Sequence, residues 1–232
     1  MAEQVDRPAL NAQRDHWESM MSARSEMFGT EPSYAALKAL ALFQEVGAEK
    51  VLELGGGQGR DTLFLARNGI HVHVLDYARP GLESIERASQ ILGVAGLVDT
   101  AAHDVREPLP VNDESFDACF SHMLYCMALT TEQLRALSKE IWRALKPGGV
   151  NVYTARNTGD PDYGMGTHIV EDIYEDEGFV VHFLSREQVE GLASGYRIIE
   201  IEEFEEGKLP KKLFMVTMRK QGEARPPDLP PS

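Results

Sequence analysis

The run VLELGGGQGRDT, residues 51–62, constrains this chain more than any other stretch. Lys50 to Leu54 reads as a buried strand, and Gly55, Gly57 and Gly59 follow it at alternate positions before a helix over 61–68. Glycine lets a backbone turn sharply and come close to a ligand. The free N–H groups of the next helix favour an anionic group. A dinucleotide-binding loop would place its third glycine one position later, where this chain has Arg60. The next strand, HVHVLD over 71–76, ends on Asp76. A carboxylate at that point can accept both hydrogen bonds of a ribose diol.

Strand and helix alternate through most of the chain. Helical spacing runs over 17–27, 34–45 and 81–92, and again from Thr131, read as an N-cap, to Leu145. Strands are expected over 98–103, 115–121 and 150–155, with Lys146-Pro147-Gly148-Gly149 ending the helix before the last of these. Ser185 and Gln188 form a capping-box pattern, and 196–204 and 212–219 read as a closing strand pair. The expected class is α/β: a doubly wound, mostly parallel sheet with a terminal antiparallel pair. Residues 1–45 are expected to form an N-terminal helical cap whose first 15 residues are loose, and 46–220 the main domain. Within that domain, 156–184 is a lid or substrate wall. Residues 221–232 are expected to be a disordered tail.

Composition excludes several functions. The 232 residues carry a formal net charge of −14, which disfavours nucleic acid and anionic membrane surfaces as partners. The two cysteines, Cys119 and Cys126, are too few for a disulfide scaffold or a zinc cluster. They fit a reducing cytoplasm. The opening residues lack the apolar core of a signal peptide, and no stretch is long enough for a membrane span. No Cys/His/carboxylate group has ligand spacing, so no metal is expected.

Taken together, the motifs resemble the class I S-adenosylmethionine-dependent methyltransferases. An acid followed by G-x-G-x-G is matched by Glu53, Gly55, Gly57 and Gly59, and the acid ending the second strand by Asp76. The acid after the third strand is matched by Asp104 in AHDVREPLP, and the fourth-strand run by ESFDACFSHMLY. The motif before the fifth strand is matched by RALKPGGV. The resemblance covers roughly 15–220 and implies a Rossmann-like fold with S-adenosyl-L-methionine as cofactor. It assigns Glu53, Gly55, Gly57, Gly59, Asp76, Tyr77, Asp104, Val105 and Ser121 to binding that cofactor. GGGQGRDTLFLARNG, HFLSREQV and EEFEEGKLPKKLFMVTMRK look similar to the small tellurite-resistance and thiol-methylating type. Arsenite-methylating relatives need several cysteines, and this chain has two.

Methyl transfer from a sulfonium is an in-line displacement that mainly needs alignment. A phenol or amine acceptor gains from a nearby base, and a thiolate needs little more than proximity. The end of the fourth strand borders the transferred methyl in such folds, which makes His122 the candidate catalytic group. Tyr125, Arg156, Tyr163 and His168 are candidate acceptor contacts, with His182 beside them. The acids over 171–177 read as a solvated face. The expected function is methylation of a small-molecule acceptor, a thiol or chalcogenide. The alternatives are O- or N-methylation of a metabolite or natural product, and a non-catalytic cofactor-binding module. The expected assembly is a monomer or homodimer.

Overall fold

The computed structural model describes residues 7–24, 27–207 and 210–221. In chain order the elements are α1 (Arg7–Ala23), α2 (Tyr34–Glu45), β1 (Lys50–Leu54), α3 (Arg60–Arg67), β2 (His71–Asp76), α4 (Arg79–Ile91) and β3 (Val98–Ala102). They continue with β4 (Phe116–Ser121), α5 (Thr131–Ala144), β5 (Leu145–Arg156), β6 (Thr167–Val170), β7 (Ile173–Asp176) and β8 (Phe179–His182). The chain closes with α6 (Arg186–Gly191), β9 (Tyr196–Glu206) and β10 (Lys211–Lys220).

Seven strands form one sheet in the order β3-β2-β1-β4-β5-β10-β9. β3, β2, β1, β4 and β5 are parallel, and β10 is antiparallel to both β5 and β9. This is the expected doubly wound sheet with its terminal antiparallel pair. Successive strand residues face opposite sides, so each strand feeds two cores. Leu52, Leu54, Cys119 and Tyr153 pack with Leu134, Leu137 and Ile141 of α5. Val51, Val72, Val74 and Val152 pack with Phe43 of α2, Leu65 of α3 and Ile85 of α4. Both faces being covered explains why these strands read as near-continuous apolar runs.

The order of the strands reverses beside β1, because β2 lies on one side of it and β4 on the other. A crevice opens there at the carboxyl ends of the strands. Antiparallel pairing of β10 with β5 puts the start of β10 beside Arg156, through the pair Leu213 with Arg156. The β9–β10 turn, including Glu206, is thereby brought to the same end of the sheet.

Several local expectations change. Residues 7–15, expected to be loose, are the first half of α1. Gln13 holds that part of the helix down: its Nε2 donates to Gly178 O at 2.9 Å and its Oε1 accepts from Val180 N at 3.1 Å. α2 belongs to the sheet's own core through Ala35, Ala36, Ala39 and Phe43, so only α1 lies over the crevice as a cap would. The N-cap of α5 is Thr130, closed into a capping box with Gln133. The Thr131 hydroxyl instead donates to Glu171 Oε2 at 2.6 Å.

The long connection over 156–184 contains a second sheet, antiparallel in the order β6-β7-β8. Its strands have four residues each, too few to show a period of two. The two residues joining β7 and β8, Glu177 and Gly178, both have positive φ, 51° and 88°, as a type I′ hairpin turn requires. The ends 1–6 and 222–232, including nearly all of the expected disordered tail, lie outside the described residues. Among the described residues no helix is long and apolar enough to cross a membrane.

The glycine turn after β1 is packed from behind by α4. A Cβ on Gly81 would sit 2.3 Å from Gly57 O, and one on Gly59, whose φ is +90°, would sit 2.6 Å from Ile85 Cγ1. Gly81→Ala is therefore expected to push α4 off the turn and destabilise the fold by about 1–3 kcal/mol. Urea unfolding would read this as a lower midpoint at unchanged m-value. An unchanged midpoint would show that the helix is free to move away.

Candidate active site

The crevice is a cavity of about 630 Å³ lined by the glycine turn, the ends of β2 and β4, α1, the small sheet and the β9–β10 turn. That is the size range of small-molecule and cofactor sites. Its floor is Glu53, Gly55, Gly57, Leu75, Asp76 and Tyr77, and its outer walls carry Trp17, Phe28, Phe179 and Phe183 together with Met21, Met27, Met123, Met127 and Met165.

Asp76 organises the floor. Its Oδ2 accepts from Gly57 N at 2.9 Å and its Oδ1 from Ala78 N at 2.8 Å. Burial pushes its carboxyl up, against the opposing effect of these backbone bonds. Glu53 is deeper. Burial pushes its carboxyl up to about 8, although the Thr62 hydroxyl donates to its Oε2 at 2.5 Å and works the other way. Gly55 and Gly57 have φ of 74° and 56°, and a Cβ on Gly57 would reach 3.5 Å from the Phe28 ring. The missing side chains leave backbone open to the cavity.

His122 follows β4 and lines the cavity. Its Nδ1 lies 3.0 Å from Thr154 Oγ1, and its Nε2 lies 3.3 Å from Glu206 Oε2. Thr154 Oγ1 also accepts the Met123 N–H at 2.8 Å. Both ring nitrogens thus face a polar side chain, with Glu206 Oε2 meeting no donor in bonding geometry. Burial pushes the Glu206 carboxyl up, but His122 outweighs it and holds the group below its ordinary range, with Arg60 adding to the effect.

Of the residues singled out from sequence, Glu53, Gly55, Gly57, Asp76, Tyr77, Val105, His122 and Arg156 line this cavity. The others lie elsewhere. Gly59 caps α3 against Ile85. Asp104 lines a small neighbouring cleft with Tyr77 and Val105, and Arg106 binds it through Nη2 at 2.6 Å and Nε at 3.0 Å. Burial pushes Asp104 up, but those Arg106 bonds outweigh it and hold the carboxyl low. Ser121 is fully buried with its Oγ unpartnered.

Tyr125 is no acceptor contact: it is fully buried, with its ring stacked on Tyr153 at 3.8 Å. An aromatic just after a strand is as well suited to a core as to a site, and here packing decides. Tyr163 is exposed and donates to Asp172 Oδ1 at 2.7 Å. His168 is on β6, with Nε2 2.7 Å from Glu171 O. His182 is fully buried, with Nδ1 2.7 Å from Leu129 O, and burial pushes its imidazole down. Arg156 lies 4.8 Å over the Phe183 ring and is bonded to Asp160 and Asp162. The acids over 171–177 divide: Glu171 accepts from Thr131, Glu175 from Gly178 N, and Asp176 and Glu177 face the cavity. Among the described residues no group of three or more His, Cys, Asp or Glu is placed to hold a metal ion.

Sequence reasoning missed Glu206, Arg60 and Thr154. Glu206 lies in an acidic run that reads as a solvated strand edge, and only the antiparallel return of β10 along β5 carries it to the cavity. Thr154 is one of several alternating positions in β5, with nothing in its type to mark it.

Residues 51–149 match the methyltransferase domain model. Over 115 residues the chain is 36% identical to phosphoethanolamine N-methyltransferase 1 of Triticum aestivum, covering 48% of this chain and 22% of that protein. The chain spans about a fifth of the length of the curated relatives it matches. Among solved structures it is similar to the 1,6-didemethyltoxoflavin-N1-methyltransferase of Burkholderia thailandensis, with TM-score 0.69 and 17% identity, covering 96% of this chain and 93% of that one. It is also similar to TehB of Haemophilus influenzae, with TM-score 0.63 and 19% identity, covering 90% and 67%. A strand–glycine turn–helix with an acid closing the next strand, a sheet of this order and the match over 51–149 agree: residues 51–149 carry a methyltransferase domain on a Rossmann-like fold.

Proposed function

We propose that this chain transfers a methyl group from S-adenosyl-L-methionine to a small organic molecule bound in the same cavity. The observation that carries the reading is that one cavity joins the Asp76–glycine floor to the His122–Glu206 pair and the aromatic wall. Donor and acceptor ends would thus share one space. The residues present fit the cofactor. Gly55 and Gly57 leave backbone bare, and Asp76 has carboxylate lone pairs left after its two backbone bonds. Asp76 would hold the ribose diol, with Tyr77 and Val105 beside it.

When bound, the cofactor supplies an electrophilic methyl whose leaving group is a neutral thioether. The chain's own part is alignment and exclusion of water. The glycine turn and Asp76 place one reactant. Trp17, Phe28 and Phe179, with the methionines of the wall, enclose the other, and their polarizable surface suits an organic body. A small-molecule acceptor fits a cavity of this size. The chain's acidity speaks against nucleic acid and anionic membrane as partners. Its two buried thiols fit the cytoplasm as the site of action, and we expect a monomer or homodimer.

The test is a screen with methyl-labelled cofactor against small amines, thiols, chalcogenides and phenols, reading labelled product and S-adenosylhomocysteine together. Cofactor binding with no release of S-adenosylhomocysteine across the panel would favour a non-catalytic binding module.

The two acids of the floor can be tested separately. Asp76→Ala is expected to weaken S-adenosylmethionine binding by on the order of 2–4 kcal/mol, because charge-assisted bonds in a partly buried site are lost. Calorimetry showing parental affinity would remove Asp76 from the site. Glu53, whose folded-state carboxyl is raised from 4.5 to about 8, binds its proton more tightly folded than unfolded. Its contribution to stability is therefore full at low pH and lost as pH rises from about 4.5 through 8. The slope in that window is about 1.4 kcal/mol per pH unit. Glu53→Gln should remove that slope, so urea midpoints of the cofactor-free variant should fall less than the parent's between pH 5 and pH 8. Parallel behaviour would show that the proton on Glu53 does not differ between the folded and unfolded chains.

A further inference from the structure

Glu206 is the part of the cavity that the cofactor floor does not account for. It ends β9, lines the cavity and faces three charged or titratable groups. Nε2 of His122, after β4, is 3.3 Å from Oε2. Nη1 of Arg60, on α3, is 4.0 Å from Oε1. Asp61, also on α3, opposes its charge but is occupied by Arg60 and by the Ser33 amide and hydroxyl. Oε2 is buried and meets no donor in bonding geometry. The arrangement fixes a negative charge at the acceptor end, with the His122 ring clamped by Thr154 behind it.

Resting on the methyltransferase reading, we propose that Glu206 is the acceptor-side carboxylate of this site and that the atom methylated is the nitrogen of a neutral organic amine. In the step, the amine lone pair forms the N–C bond while the C–S bond breaks with its electron pair going to sulfur. The positive charge leaves sulfur and appears on nitrogen, and no proton need move in the transition state. The N–H of the amine donates to Glu206, which turns the lone pair away from the carboxylate and toward the methyl. As charge grows on nitrogen, that bond strengthens, so the carboxylate stabilises the transition state more than the bound reactant. The extra proton of the product ammonium is lost afterwards to solvent.

The same carboxylate works against an anionic nucleophile. A thiol or phenol must ionise to react well, and a fixed negative charge beside it raises its pKa. The geometry thus points away from the thiol or chalcogenide acceptor that the sequence resemblance implies. The remaining charges agree. Arg60 and Arg156, two cations of the lining, are bonded to Asp61 and to Asp160 and Asp162. The same lining holds Lys211 and the acids Asp176, Glu177 and Glu206. Aromatic faces such as Phe179 and Tyr174 favour a cation over an anion. His122, whose Nε2 lies 3.3 Å from Oε2, is then a positioning residue beside Glu206.

The experiment uses two probes with one body, benzylamine and phenylmethanethiol, and the variants Glu206→Gln and Glu206→Asp of the full chain. Calorimetry with S-adenosylmethionine comes first. Parental and variant chains should bind it equally, and a parent that does not bind it overturns the methyltransferase reading itself. With cofactor bound, benzylamine is expected to be methylated in preference to the thiol. Glu206→Gln should lower kcat on benzylamine by roughly 10²–10³-fold, with Glu206→Asp recovering part of it. The rise of kcat/KM with pH should track benzylamine's own ionisation in parent and variant alike, since Glu206 takes no proton. On S-adenosylhomocysteine-loaded protein below the amine's pKa, benzylamine affinity should fall roughly 10–100-fold in Glu206→Gln, and thiol affinity should stay unchanged. Preference for the thiol, a glutamine variant as fast and as tight-binding as the parent, or a pH limb lost with Glu206 would each overturn the amine assignment while leaving the methyltransferase reading intact.

Discussion

The carboxylate of Asp76 is the tie on which the crevice depends. One oxygen takes the Gly57 N–H and the other the Ala78 N–H, so a single side chain fastens the turn after β1 to the start of α4. α4 in turn presses Gly81 against Gly57 O and Ile85 against Gly59. A larger residue at either glycine would force the turn and the helix apart, and without Asp76 two backbone donors in the floor would lose their partner. The cost of burying this acid, seen in its raised pKa, is offset by those two bonds. A buried carboxylate with unused lone pairs facing a cavity is also a ready acceptor for hydroxyl groups of a ligand.

The outer wall of the cavity is assembled on a different principle. α1 and the small sheet come from distant parts of the chain and meet by side-chain contacts rather than by strand pairing, while the pairing of β10 on β5 carries in Glu206. Gln13 bridges α1 to Gly178 and Val180, His16 and Trp17 pack on Phe179 with ring centroids 4.6 and 5.4 Å away, and Gln58 ties the glycine turn to Met21, Arg24 and Met27. Thr131 and Glu171 join the small sheet to α5. Polar bridges of this kind hold a wall in place at modest net energy.

Legibility in the sequence divides along the same line. The parallel strands, the glycine turn, Asp76 and the capping box at Ser185 are local signals, each set by a few neighbouring residues, and all of them stand in the structure. The outer wall depends on contacts between distant residues. Tyr125 and His182 turned inward because cores on both faces of the sheet needed filling there. Tyr163 and His168 were drawn into the small sheet's own bonding. Glu206 reached the cavity only through the register of β10 on β5. The strands β6 to β8 were hidden because four residues carry too little periodicity, and their mark was the Glu177-Gly178 turn.

The small sheet has a further consequence. It leaves the main sheet at Arg156 and rejoins it near Leu184, where Thr158 N donates to Leu184 O and Leu184 N to Arg156 O. Entry and exit are therefore neighbours, closed by backbone bonds beside the central strands, with side-chain ties to α1 and α5 further out. An excursion closed at its base can change length, charge or shape while the donor floor stays as it is. The architecture separates the glycine-turn floor, fixed by the main sheet, from a rim that a lineage built on this plan can reshape without re-solving its core.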